Sequence, residues 1–149
     1  MASPYQLFHR AERVERLSAH VYGALAARFR GDAEAHALFV RLQTEEEQHA
    51  SRVRLLAAHY RNDPKLPVEA DAGELDVCAA ECERAIAEIE VGAWGTDLAE
   101  VKGRLAALEE RLARAHADLL ARNAAPALRE FLAQLASLDA AHARLLESS

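Results

Sequence analysis

The chain has little of several things. Aromatic residues make up 5% of its 149 residues, and there are 4 prolines, 6 glycines and 2 cysteines. Runs of Val, Ile, Thr and Tyr at alternating spacing are missing, which argues against a sheet. No stretch approaches the roughly 18 consecutive apolar residues that a membrane-spanning helix needs. There is no excess of basic charge either: the net charge is −6, with arginines interleaved among acids at helical spacing. That pattern is a solvated mixed-charge face, and it argues against nucleic acid or an anionic membrane as the main partner. Cys78 and Cys82 stand one helical turn apart, which presents them poorly to each other for a disulfide, so they read as small core thiols. Paired CxxC motifs for a rubredoxin-type iron centre are absent. The opening MASPYQLFHRAERVERL has no basic-then-apolar signal pattern, so a cytoplasmic location is expected.

What is present is helix-favouring: half the residues are apolar, many of them alanine, and 28% are charged. The length fits one domain with a real core. Periodicity predicts five helices, at about 4–30, 33–60, 74–91, 98–122 and 126–147. Their ends carry turn chemistry: Gly31 at a C′ position, Asp32 as N-cap, Asn62-Asp63-Pro64 as a breaker, and Asp71 with Glu74 and Asp97 with Glu100 as capping boxes. Gly92 and Gly95 serve as turn glycines, Asn123 as a C-cap, and Pro126 opens the last helix. The first two helices are joined by one or two residues and should pack antiparallel. The stretch 61–97 is a crossover containing the shorter third helix.

The second helix carries the first sign of chemistry. Phe39, Leu42, Glu46, His49, Val53, Leu56 and Tyr60 lie on one face at steps of three and four. Five are apolar. Glu46 and His49 are not, and a buried carboxylate costs several kcal/mol unless it is compensated. The last helix repeats the pattern: Leu128, Leu132, Leu135, Asp139, His142, Leu146. The two halves align, His49 on His142 and Glu46 on Asp139 at an offset of 93, and Glu15 on Glu109 and Tyr22 on His116 at an offset of 94. On the fourth helix Leu105, Glu109, Leu112, His116 and Leu119 share a face, with Glu110 the alternative inward acid. An acid three residues before a histidine is weak evidence alone in a chain with 24 acids and 7 histidines. Its weight comes from falling twice on apolar stripes, at corresponding points of a repeat, each time with an inward glutamate upstream. His9, His20, His36 and His59 show no such spacing.

Glu15 with Tyr22, Glu46-x-x-His49, Glu109, and Asp139-x-x-His142 together resemble the ferritin-like superfamily, and most of all its rubrerythrin-type branch. The resemblance covers about residues 5–60 and 98–147. It implies an all-α fold, an antiparallel ferritin-like four-helix bundle of two helical hairpins (4–60 and 98–147) with a short extra helix in the crossover. It implies a di-iron centre with Glu15, Glu46, His49, Glu109, Asp139 and His142 as metal ligands, Mn or Zn being possible substitutes. Glu15 and His49 would bind one ion, Glu109 and His142 the other, with Glu46 bridging and Asp139 bridging or terminal. Tyr22 would hydrogen-bond a ligand or donate an electron, or be a core tyrosine. His116 would be an additional ligand or nearby base, or a core histidine. The activity implied is reaction of iron(II) with dioxygen or hydrogen peroxide, with an external electron donor and a homodimeric assembly. The alternatives are an iron binding or storage bundle without turnover and a metal-free helical interaction domain. Hemerythrin-like ligation is disfavoured, because only two histidines align with acids. The departure from the family pattern is Asp139, whose carboxylate sits roughly 1.5 Å further back than a glutamate's.

Overall fold

A computed structural model describes residues 4–60, 73–122 and 126–148, and it is all-helical: α1 (Pro4–Arg28), α2 (Ala33–Tyr60), α3 (Gly73–Glu90), α4 (Leu98–Arg122) and α5 (Pro126–Ser148). Among the described residues there is no strand, and no helix is long and apolar enough to cross a membrane. The breaker Asn62-Asp63-Pro64, the cap Asp71 and the C-cap Asn123 lie outside the described residues.

The helix ends follow from local chemistry. The Asp32 Oδ1 accepts from the Ala35 N–H at 3.2 Å, capping α2, and the Asp97 Oδ1 accepts from Ala99 and Glu100 at 3.1 and 3.4 Å, capping α4. α3 ends at Gly92, whose φ of 78° is a left-handed conformation that a side chain would strain. Around it, Gly92 N–H bonds to Ile89 O and Ala93 N–H to Glu88 O, the pair that closes a Schellman turn. Gly31 does not take that role. α1 stops at Arg28, and the turn closes through Asp32 N–H to Phe29 O at 3.0 Å. His36 helps to end α1 as well, its Nδ1 donating to the Ala26 carbonyl in the last turn at 2.7 Å.

Side-chain pairs give the helix directions. Phe29 meets Phe39, and Glu15 approaches His49, so α1 and α2 run antiparallel. Tyr22 meets Glu109 while Glu15 groups with His116, so α1 and α4 also run antiparallel. α5 runs opposite to α4, with His116 against Asp139 and Glu109 against His142. α3 lies across α1 and α4. Arg13 reaches Glu83 at 2.6 Å, and Arg111 reaches Glu74 at 3.0 Å. These partly exposed pairs orient α3 more than they stabilise it. Its inward face, Leu75, Cys78, Ala79, Cys82, Ala85 and Ile89, supplies the burial. Ala85 is buried, and the larger Ile86 beside it is partly buried against the same core.

The core has two apolar parts. One gathers Leu7, Phe8, Val53, Leu112, Phe131 and their neighbours, and the other gathers Tyr22, Leu25, Phe39, Ile89, Leu105 and theirs. Between them along every long helix lies a polar layer, described below.

Both cysteines are free and fully buried. Burial pushes the Cys78 thiol up to about 11, with Arg111 pulling the other way, and Cys82 is raised further. Since the thiolate is the reacting form, native protein is expected to resist a disulfide-exchange reagent and to expose both thiols only on denaturation. Prompt labelling of the folded protein would place α3 differently.

Candidate metal centre

The inward stripes of α1, α2, α4 and α5 bring their polar residues together over about two helical turns. Glu15, Glu46, His49, Glu109, His116, Asp139 and His142 are all buried, none more than 6% exposed. Of the acid and histidine side chains buried among the described residues, only Glu12 lies outside this layer. All six ligands expected from the sequence are therefore brought together. Glu109 is the inward acid of α4, while Glu110 is exposed.

Their atoms form three overlapping groups, each with ligand atoms within 4.8 Å of one another: Glu15, Glu46 and His49; Glu46, Glu109 and His142; and Glu15, His116 and Asp139. Glu46 is shared by the two groups that contain the repeat-related histidines. The His49 Nδ1 lies 3.7 Å from both Glu15 Oε2 and Glu46 Oε1. The His142 Nδ1 lies 2.7 Å from Glu46 Oε1 and 3.4 Å from Glu109 Oε1. The two imidazoles stack, with ring centres 5.6 Å apart. Asp139 does not join His142 one turn away on its own helix. Its Oδ2 turns to the His116 Nδ1 at 2.6 Å.

Tyr22, the expected catalytic residue, is buried against this layer, and its hydroxyl donates to Glu109 Oε1. Burial, then the nearby charges of Glu109 and Glu46, raise the phenol well above its usual range, so it keeps its proton and acts as a donor. Sequence reasoning missed Glu45. It lies next to Glu46 in an acidic run, and its Oε2 accepts from His142 Nε2–H at 2.9 Å. A carboxylate can only accept, so Nε2 carries the hydrogen and the lone pair of the neutral ring sits on Nδ1, facing Glu46 and Glu109. The available signal was spacing, because Glu45 is four residues before His49 and so borders the inward stripe.

The electrostatics follow from burial. Burial, then repulsion from Glu15 and Glu109, raises Glu46 well above the carboxylate range. Burial pushes Asp139 up to about 8, although His116 opposes it. Burial would also raise Glu15, but His49, Glu46 and His116 outweigh it and hold Glu15 low. Burial works to lower His116 and His142, and their carboxylate neighbours overcome it and raise both. Without metal, the layer limits its charge by keeping protons on some acids and on imidazoles.

The residues fit a metal pair on an observation independent of family. Among the described residues, the buried side-chain nitrogens and oxygens that have no hydrogen-bond partner are Glu15 Oε1 and Oε2, Glu46 Oε1 and Oε2, His49 Nδ1, Glu109 Oε2, His116 Nε2, Asp139 Oδ1 and His142 Nδ1. Every one belongs to this layer. Glu15 Oε2, Glu46 Oε1, His49 Nδ1 and His142 Nδ1 still lie in ion-pair contacts at 2.7 to 3.7 Å; each of the others costs about 1–3 kcal/mol unless something satisfies it. Carboxylates with imidazoles are a donor set for iron, manganese or zinc, and four carboxylates balance two divalent ions. On the α2–α5 side, Arg41, Glu45, His49, Arg52, Leu138 and His142 line a surface cavity of about 460 Å³. It reaches the outer edges of the two imidazoles.

No protein-family model matches the chain, and no curated protein or solved structure matches it.

Proposed function

We propose that the chain is a non-haem di-iron carboxylate protein with a ferritin-like four-helix bundle of the rubrerythrin type, reacting iron(II) with dioxygen or hydrogen peroxide. The observation that carries this reading is the confinement of the unpartnered buried polar atoms to one layer, on residues a metal pair would use. Glu15 and His49 hold one ion, and Glu109 and His142 hold the other. Glu46, common to both groups, joins them. When bound, two iron(II) ions supply the two electrons that, with two protons, convert hydrogen peroxide to two waters, and an external donor must return those electrons.

The chain's own residues prepare that chemistry. Glu45 fixes the His142 tautomer so that Nδ1 faces inward. Tyr22 orients Glu109 and retains a proton beside the site. The apolar residues on either side keep bulk water from the layer, so charges within it act strongly on one another. The cavity between α2 and α5 gives a small oxidant its approach. The family resemblance adds a homodimer.

The test is metal analysis of protein purified without oxygen, followed by peroxide and oxygen consumption with a reductant. The expected result is two iron ions per chain and consumption that depends on them. Iron that binds and oxidises without turnover indicates storage. Protein that takes up no metal under any loading indicates a helical interaction domain, and the proposal fails.

A further inference from the structure

The two-ion reading leaves one ligand group unused, Glu15, His116 and Asp139. Two observations single it out. First, two of the positions at which the inward polar residues of the halves differ fall in this group: His116 stands where the first half has Tyr22, and Asp139 where it has Glu46. Those two residues touch each other, His116 Nδ1 lying 2.6 Å from Asp139 Oδ2. The second departure thus fits the first: a carboxylate shortened by one methylene stays beside the imidazole that replaced the phenol.

Second, the exchange changes what the position can do. The Tyr22 hydroxyl is satisfied by Glu109, and a protonated phenol is a poor ligand. His116 is fully buried, and with Nδ1 committed to Asp139 its Nε2 has no hydrogen-bond partner. Asp139 Oδ1 and both Glu15 carboxylate oxygens are likewise without one. A histidine kept only for packing would leave that ring nitrogen unpaired in the core, at about 1–3 kcal/mol. An imidazole oriented by a carboxylate on its other nitrogen is the usual arrangement of a metal-ligating histidine.

We propose that Glu15, His116 and Asp139 form a third binding position for a divalent transition-metal ion, beside the pair that Glu46 joins. The inference rests on the two-ion reading, since it shares Glu15 with that pair. One nitrogen and two carboxylates suit iron(II), zinc(II), manganese(II) or cobalt(II). Four carboxylates already balance two divalent ions, so a third brings excess positive charge. It therefore binds more weakly and fills last.

The experiment is a zinc(II) titration of metal-free full-length protein, read as bound metal per chain and as anomalous scattering at the zinc edge. The wild type is expected to take up two ions tightly and a third at higher zinc, with a peak beside His116. The His116→Gln variant keeps a donor toward Asp139 but no ring nitrogen, and it is expected to stop at two. Asp139→Asn is the second variant, with the same expectation. Two ions in the wild type and no peak at His116 overturn this inference and leave the two-ion reading standing. Three ions in both variants also overturn it. No ions at all overturn both readings. If neither variant folds, the wild-type stoichiometry and peak positions decide.

Discussion

Metal-free protein is expected to melt progressively lower as the pH is raised from about 5 to about 8, and metal-loaded protein is expected not to. Glu46, Asp139, His116 and His142 all hold protons more tightly in the folded layer than in an unfolded chain, Asp139 up to about 8. Across that pH window the native state binds more protons than the unfolded state, so stability falls as pH rises. Glu15, held low, has the opposite sign, and its contribution is lost only as the pH falls through the acid range. One extra bound proton corresponds to about 1.4 kcal/mol per pH unit. Over three units that is about 4 kcal/mol, or about 10 °C in melting temperature for a chain of this size. A divalent ion does the work of those protons without needing low pH, so the gain in melting temperature on adding iron(II) or zinc(II) should grow from pH 5 to pH 8. Thermal melts with and without chelator check this. A metal-free melting temperature that is flat or rises over the window would sink it.

The site was legible in the sequence wherever it depended on helical phase. Glu46 and His49 could be placed inward because Phe39, Leu42 and Val53 fix the phase of α2, and the repeat carried the same assignment to Asp139 and His142. Glu15 and Glu109 followed from the same alignment, and the helix limits followed from Asp32, Asp97 and Gly92, whose side chains or backbone satisfy the helix ends. Phase says which face a residue is on, but not which neighbour across the core it meets. That is why the partner of Asp139 was not foreseen. The choice between His142 and His116 depends on the separation and relative rotation of α4 and α5, which have no sequence signature. Glu45 was missed for a related reason: at the edge of a stripe, an acid bonded to a buried histidine and an acid in water have the same spacing. The role of α3 was only half visible. Cys78 and Cys82 read as core thiols one turn apart, but the docking of α3 on α1 and α4 depends on Arg13 and Arg111 finding acids distant in sequence.

Glu46→Gln is expected to move the stability of metal-free protein and the affinity for metal in opposite directions. Glu46 is fully buried among Glu15, Glu109 and Asp139, and its burial, then this crowding, raise its pKa well above the carboxylate range. Glutamine has the same shape as the protonated acid and is neutral at every pH, and its amide can donate to a Glu15 oxygen that has no partner. The metal-free variant should therefore melt at or above the wild type at pH 8, where ionising Glu46 is most costly. Binding should suffer more than for any neighbouring position, because Glu46 belongs to two ligand groups and both ions lose a carboxylate. Loss of a group that merely orients a ligand costs about 10–100-fold in affinity, so loss of a shared ligand should exceed about 100-fold. At a metal concentration about 1,000 times the wild-type Kd, metal contributes about 4 kcal/mol to stability. A 100-fold loss removes more than half of that, and the gain in melting temperature shrinks accordingly. Glu47→Gln, one position on and exposed, is the control and should change neither quantity. Melting curves with and without metal decide the matter together with a direct metal titration. A Glu46→Gln protein that gains as much from metal as the wild type, or that is strongly destabilised without it, would mean that Glu46 is a structural residue and that the ions bind elsewhere.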